Sequence, residues 1–556
     1  MFRLKREQRT LFSAATLLPE GKLRRLEQQW PGVFRTKALP LINEREFAHL
    51  YDQGNGRPNK AVQTLIGLLV LKDMWDLTDE EVLFNLDYHL AYQQALGLDV
   101  DEAHCCQKTL HNFRRRLIES EGDALLFETL TDRILDALGV DTGKQRLDST
   151  HIVSNIRRLT RLGLFCETIR VFLSGLRDSS PRKFQALPET LRRRYLKDDG
   201  KATRFGDASS KETQRRLGVC ARDVWRLVDR FRGQRDVCKL KPYKLLERLL
   251  NDQCDVVATP VAGQDGDADT TEPGAPVVVK EPKKVKGDSL QSPHDPDATY
   301  SGHKGKGFEV QIAETVGNGT TPEIITHVEV TDSSGSDKHA TVPVVEALAE
   351  RNIQPHEMTA DTTYGPTENV IECARLGTEL LTPVPGNEAG KAKEGEIRPE
   401  DFLVDPSGVE PPVCPAIEVA SRVERNEETG TIRAYFDGVT CDRCRYAGSC
   451  PTRRLKDGTR MLSVTEHKAV LAERRAYAET EEFAQRYAQR AGIEATNSEL
   501  KRRHGLGHLR TRGRLRVRLA VYLKAAACNV KRMVNHLVEM LKGADAVAGA
   551  ALADAN

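Results

Sequence analysis

Long apolar runs are missing from this chain. Among its 556 residues even runs such as 65–71 fall far short of the roughly 20 apolar residues that a membrane-spanning helix needs. Nor does Met1-Phe2-Arg3-Leu4-Lys5-Arg6 lead into the apolar stretch of a signal peptide. The expectation is a cytoplasmic protein with no membrane partner. A dominant charge is missing as well: 83 Lys and Arg nearly cancel 81 Asp and Glu, leaving +2. Whole-chain charge therefore points to no polyanionic partner. Twelve cysteines in a long chain without a secretory signal do not read as a disulfide framework. One local absence says more: residues 501–532 hold eleven Lys or Arg and no Asp or Glu. A solvated helix face carries both signs, so this asymmetry suits phosphate contacts.

What is present is a globular composition, 39% hydrophobic and 29% charged, in a chain long enough for two or three domains. Residues 41–119 read as helical, and Thr78-x-x-Glu81 is a capping box that opens one helix. Thr109 reads as the start of another, with Leu110, Phe113 and Leu117 at helical spacing among Arg114, Arg115 and Arg116. That helix is either part of a helix-turn-helix reader of DNA or part of a packing bundle; the pattern leaves both open. Residues 144–152 read as a strand, followed to about residue 250 by a charged helical block. An acidic linker rich in Gly, Pro and Thr comes next. Period-two strands return at 308–313 and 324–330. Helices at 340–351 and 368–375 then alternate with strands at 357–361 and 380–384, which predicts a mixed sheet covered by helices. Residues 466–503 read as one long helical stretch.

Three acids stand out by context. Asp148 ends a strand, Asp361 lies at a strand-to-turn junction and Glu494 is on the late helix. Acids at strand ends converge at one edge of a sheet, where a helix supplies a further ligand. Three carboxylates suit two Mg2+ or Mn2+ ions, hard cations that prefer oxygen, in phosphodiester chemistry. Singly, an Asp at a strand end reads more often as a cap or turn residue. On the late helix Tyr487, Arg490, Glu494 and Lys501 stand at offsets of 3, 7 and 14. At about 100° per residue these share one face, a carboxylate flanked by an aromatic and two cations. The bland alternative is a solvated salt-bridge face.

Tyr487, Arg490, Glu494 and Lys501 resemble the Tyr-Arg-Glu-Lys signature of DDE transposases from bacterial insertion sequences. Gly56-Arg57-Pro58 with the apolar helix after it and Leu77-Thr78-Asp79-Glu80-Glu81 is similar to that family's N-terminal helical domain. Arg146-Leu147-Asp148-Ser149-Thr150 and Thr359-Ala360-Asp361-Thr362-Thr363-Tyr364 resemble its first and second catalytic motifs. The resemblance implies an RNase H-like α+β fold with a mixed sheet flanked by helices. It also implies that Asp148, Asp361 and Glu494 hold the metals for cleavage and strand transfer at insertion-sequence ends. Tyr487, Arg490 and Lys501 would contact the transposon end. The partners it implies are terminal inverted repeats and target DNA, with the protein acting as a homodimer in the synaptic complex, at the nucleoid when bound. Alternatives are a plain RNase H-like nuclease and an inactive DNA-binding relative. Glu499 misses the signature spacing, so Glu494 is preferred. Arg502, Arg503, Arg510 and Arg512, set among glycines, are further candidates for phosphate contact.

The expected division is 1–140 helical DNA-binding or dimerisation domain, 141–156 first catalytic strand, 157–252 helical insertion and 253–294 flexible linker. It continues with 295–385 catalytic core, 386–462 cysteine-containing insertion, 463–542 catalytic helix and basic segment, and 543–556 disordered tail. Within the second insertion Cys414, Cys441-x-x-Cys444 and Cys450 read as a structural zinc site, against reduced cysteines without metal. Cys105 and Cys106 read as helical core.

Overall fold

Strand β1 (Lys144–Ile152) runs through the middle of the main sheet, and its period-two alternation sends Arg146 and Asp148 to one face and Leu147 and Ser149 to the other. The structure is a computed structural model that describes residues 2–5, 18–52, 58–156, 159–196, 210–257, 276–386 and 397–553, except 406, 408 and 427. Gly56 and Arg57 of the first motif lie outside the described residues.

Before β1 come α1 (Glu20–Glu27), α2 (Trp30–Val33), α3 (Val62–Met74), α4 (Asp79–Tyr88), α5 (Leu90–Leu96), α6 (Gln107–Glu119) and α7 (Gly122–Leu138). Helix α3 is apolar on nearly every side and is correspondingly buried on nearly every side. Thr78 and Glu81 form the reciprocal capping box at the start of α4. Thr109 does not begin its helix: α6 starts two residues earlier behind Cys106, because Thr109 lies within the first turn. Leu110, Phe113 and Leu117 are its buried face, as their spacing requires. Cys105 is buried as expected, but Cys106 is exposed.

After β1 the helical insertion comprises α8 (Arg161–Ser179), α9 (Pro181–Gln185), α10 (Glu189–Tyr195), α11 (Ser210–Phe231), α12 (Arg235–Cys238) and α13 (Lys241–Gln253), with its own apolar core around Phe165, Phe172, Phe231 and Leu246. The linker expectation for 253–294 fails at both described ends. Strands β2 (Cys254–Val256) and β3 (Val277–Val279) pair with each other, and Leu290 and Ser292 are buried. The alternation of Val277 to Val279 gives that stretch a partner strand; residues 258–275 lie outside the described residues.

The main sheet adds β4 (Thr299–Ser301), β5 (Gly305–Thr315), β6 (Ile325–Asp332), β7 (Glu357–Ala360) and β8 (Glu379–Leu381). Its order is β6-β5-β1-β7-β8, with β4 paired to the start of β5. Strand β5 is antiparallel to both β1 and β6, while β7 is parallel to β1 and β8 to β7. Helices α14 (Thr341–Glu350) and α15 (Thr367–Arg375) cover one face, where Val344, Val345 and Leu348 meet Leu147, Met358 and Ala360. This is the mixed sheet covered by helices that the strand and helix alternation predicts, in the RNase H-like α+β arrangement that the resemblance implies.

The second insertion is a small lobe of β9 (Arg422–Asn426), β10 (Thr431–Phe436), α16 (Gly438–Asp442), β11 (Arg453–Arg454) and β12 (Arg460–Thr465) in one four-stranded sheet. The late stretch then departs from one continuous helix. It forms α17 (Glu466–Ala478), α18 (Glu481–Ala488), a 3-10 turn at Gln489–Ala491 and α19 (Gly492–Arg503). Thr480 caps α18 through its side chain and so interrupts the run. The last helix, α20 (Arg514–Ala553), packs against α3, α7 and β6 and shares one apolar core with the N-terminal helices and the sheet. It continues through most of the stretch expected as a disordered tail.

Candidate active site

The parallel register of β1 with β7 sets Leu147 beside Ala360, so the next residues along each strand, Asp148 and Asp361, reach the same edge of the sheet. Asp361 leaves its strand through a 3-10 turn that it caps, accepting the Thr363 backbone N–H at 2.7 Å. Asp148 is largely buried. Burial pushes its carboxyl above the usual range and nearby Asp361 and Asp337 add to this, while Arg490 opposes it. A divalent cation would relieve both burial and carboxylate repulsion, and the donors at this edge are oxygens, as hard ions prefer.

Glu494 stands in the first turn of α19 and is exposed. Between it and Asp148 lies the Arg490 guanidinium, with Nη2 3.5 Å from Asp148 and Nη1 3.4 Å from Glu494. Asn497, one turn beyond Glu494, donates from Nδ2 to Asp148 Oδ2 at 3.0 Å. Its own Oδ1 is buried without a hydrogen-bond partner. Tyr487 stacks on Phe483 with rings 9° apart. Burial raises its phenol, to which Arg490, Asp361 and Asp148 all lie close enough to contribute. Lys501 is exposed on the last turn of α19; partial desolvation lowers its ammonium, Lys304 lowers it further, and Glu309 and Asp148 oppose. Although the 3-10 turn breaks the helix between Tyr487 and Glu494, Tyr487, Arg490 and Lys501 still lie within electrostatic reach of Asp148, and Glu494 is tied to it through Arg490.

The floor beneath is a buried charge network. Glu314, fully buried, accepts from Arg146 Nε at 2.7 Å, Arg532 Nη1 at 3.2 Å and Thr496 Oγ1 at 2.5 Å. Arg146 also donates to the Gln489 carbonyl at 3.0 Å. Gly492 leaves room for this guanidinium, since a Cβ there would meet Arg146 Nη1 at 1.8 Å and displace it. Glu499 faces this floor, bonded to Arg532 at 2.9 Å. With His504 Nε2, which has no hydrogen-bond partner, and Cys528 it forms the one trio of metal-ligating side chains among the described residues whose ligand atoms all lie within 4.8 Å of one another. Neither the three acids nor the four clustered thiols are drawn that tight.

The other basic candidates lie elsewhere. Arg502 and Arg503 are exposed beside Lys501. Arg510 donates to both carboxylate oxygens of Asp76 and to the Leu77 carbonyl, and Arg512 donates to the Asn155 carbonyl. Both act as staples while lining a groove of about 720 Å3 with Arg114 and Arg115. Cys414, Cys441, Cys444 and Cys450 line a single cavity of about 30 Å3 in the β9–β12 lobe. Burial pushes the Cys441 thiol up to about 11, and the other three cysteines add to the shift. Backbone N–H groups of Glu418 and Tyr446 point at Cys414 Sγ (3.3 Å) and Cys444 Sγ (3.4 Å).

Sequence reasoning missed Asn497, Asp337 and Lys304. Asn497 was within reach, because it stands three residues after Glu494 on the same helix face; the other two come from connections whose placement only the fold reveals.

Two family models match the chain. Residues 413–534 match the one described as a transposase DDE domain, which spans the thiol lobe and Tyr487, Arg490, Glu494 and Lys501. Residues 24–116 match the one described as a transposase domain (DUF772), which spans the N-terminal helices as far as Arg116. Asp148 and Asp361 lie outside both matches. No curated protein and no solved structure matches the chain.

Proposed function

With the chain a DDE transposase of the insertion-sequence type, we propose that Asp148, Asp361 and Glu494 are its metal-binding acids. In this reading it cuts DNA at the ends of its element and joins the freed 3′-hydroxyl to target DNA. The observation that carries the reading is the β1–β7 register, which sets Asp361 beside Asp148 while Arg490 reaches from Asp148 to Glu494.

Divalent metal use and DNA as partner follow from the family; Mg2+ or Mn2+ fits the all-oxygen donor set. Such ions, when bound, activate an attacking oxygen and stabilise the leaving one. The chain's own residues do the remaining work. Asn497 orients Asp148, and Tyr487 with Lys501 offers an aromatic and a cationic contact to the transposon end. Arg490 balances the carboxylates and trades that contact for phosphate when DNA arrives. Joining two ends to a target favours a homodimer. No helix among the described residues is long and apolar enough to cross a membrane.

For the thiol lobe the reading is one structural zinc. The four cysteines line one cavity with room for an ion, and two of the sulfurs, those of Cys414 and Cys444, receive backbone N–H bonds of the kind that stabilise thiolates. The test of function is strand transfer. A pre-cut duplex carrying the DNA that flanks the coding region, with a free 3′-hydroxyl, is incubated with a target plasmid and Mn2+. Covalently joined product is expected; nicking without joining would reduce the reading to a nuclease.

A further inference from the structure

The β4–β5 hairpin brings a cation to the site from 155 residues away in sequence. Lys304, next to the hairpin tip, holds its ammonium 2.5 Å from Glu309 and 3.4 Å from the hydroxyl of Ser149, the neighbour of Asp148. The second cation is Lys501 of α19, exposed seven residues and about two turns beyond Glu494. The two ammoniums and Asp148 lie within one another's field.

We propose that Lys304 and Lys501 form a phosphate-binding notch beside Asp148, which grips a backbone phosphate of the DNA strand to be cut. The inference rests on the proposed function and adds to it a second chain segment, the hairpin, as part of the DNA interface.

Three observations support the notch. The first is charge: Lys501 is close enough to feel Lys304 as well as Glu309 and Asp148, and while Glu309 bonds Lys304, Lys501 bonds no acceptor among the described residues. Like charges held together are unfavourable unless an anion lies between them, and Lys is a point-charge binder of phosphate. The second is rigidity. Gly307 packs so closely on the end of β1 that a Cβ would meet the Ile152 carbonyl at 2.1 Å, which pins the hairpin against the strand that carries Asp148. The third is access. A Cβ built on Gly302 or Gly305, on either side of Lys304, meets nothing within 4 Å, so the hairpin tip is open to an approaching strand.

The experiment is a salt titration of binding by fluorescence anisotropy, with a labelled duplex of the DNA flanking the coding region. The cleavage position is first mapped with the parent protein and Mn2+. A second duplex carries a neutral methylphosphonate at that position. Because Glu309 is buried, at 4% exposure, Lys304→Gln alone strands a carboxylate. Lys304→Gln with Glu309→Gln removes both charges, and Lys304→Arg keeps the cation. The neutral variants are expected to lower the salt slope by about one phosphate contact and to bind both duplexes equally. The parent and Lys304→Arg should lose affinity on the methylphosphonate duplex. If the neutral variants keep the parent slope, or lose equal affinity on both duplexes, the notch is overturned while the proposed function stands. If the parent fails to cleave, the proposed function fails instead, and a slope that still drops in the neutral variants keeps the notch as a DNA-phosphate site.

Discussion

Asn497 donates from Nδ2 to Oδ2 of Asp148 across 3.0 Å, so the helix that carries Glu494 also fixes the rotamer of the acid on β1. A hydrogen bond to a charged group contributes about 1.5–3 kcal/mol, and about 1.4 kcal/mol is tenfold in rate. Asn497→Ala is therefore expected to slow single-turnover DNA cleavage by roughly tenfold or more. Thermal stability should change little, because the site lies at the edge of the sheet. Unchanged cleavage in this variant would remove Asn497 from the site.

Glu314 is the anion that two buried arginines share, Arg146 at 2.7 Å and Arg532 at 3.2 Å. Removing one partner of a buried ion pair costs up to about 3–5 kcal/mol, and because Arg146 keeps Glu323 and Arg532 keeps Glu499, the loss here falls towards the lower end of that range. Glu314→Gln should lower the denaturant midpoint accordingly, with an unchanged slope. A shift within error of the parent would mean that the network adds nothing to stability.

Burial pushes His504 down to about 4, while its Nδ1 meets the Asp73 carbonyl at 2.9 Å. The folded state thus favours the neutral ring, whereas the unfolded chain protonates near 6.5. The stability gained from this is full above pH 6.5 and is lost as pH falls from 6.5 towards 4. At pH 5 the loss is about 2 kcal/mol. Denaturant midpoints at pH 7, 6 and 5 should fall less steeply for His504→Gln than for the parent; parallel profiles would contradict it.

For the thiol lobe the expected result is one zinc per chain by elemental analysis, released by chelator with local loss of structure. Cys441→Ser and Cys444→Ser should each abolish it. Full zinc content in Cys441→Ser, or freely reactive thiols in the metal-replete protein, would leave four reduced cysteines.

Much of the fold was legible because its signals are local. The alternation at β1, β5 and β6 and the Thr78–Glu81 capping box need no tertiary partner to be read. Asp361 was legible as a strand-end acid, whereas Asp148, expected at the end of its strand, lies in the middle of β1, which runs on to Ile152; Glu494 stands out only through its spacing from Tyr487, Arg490 and Lys501. What escaped depends on distant pairing. Arg510 reads as a free cation in sequence, yet its partner Asp76 is 434 residues away. Lys304 looks like an ordinary turn lysine until the hairpin folds beside Asp148. The stretch at 277–279 passes for linker because its partner strand, Cys254–Val256, lies on the far side of the acidic stretch rich in Gly, Pro and Thr.

The most direct test of the central claim is single-turnover cleavage of an end duplex in Mn2+ by Asp148→Asn, Asp361→Asn and Glu494→Gln, with Glu499→Gln as comparator and rates normalised to folded protein. Glu499 faces Arg532 at 2.9 Å, away from Asp148, so the account predicts that its variant cleaves while the other three bind the duplex and do not cut it. Parent-rate cleavage by any of those three, or loss of cleavage in Glu499→Gln alone, would contradict the assignment.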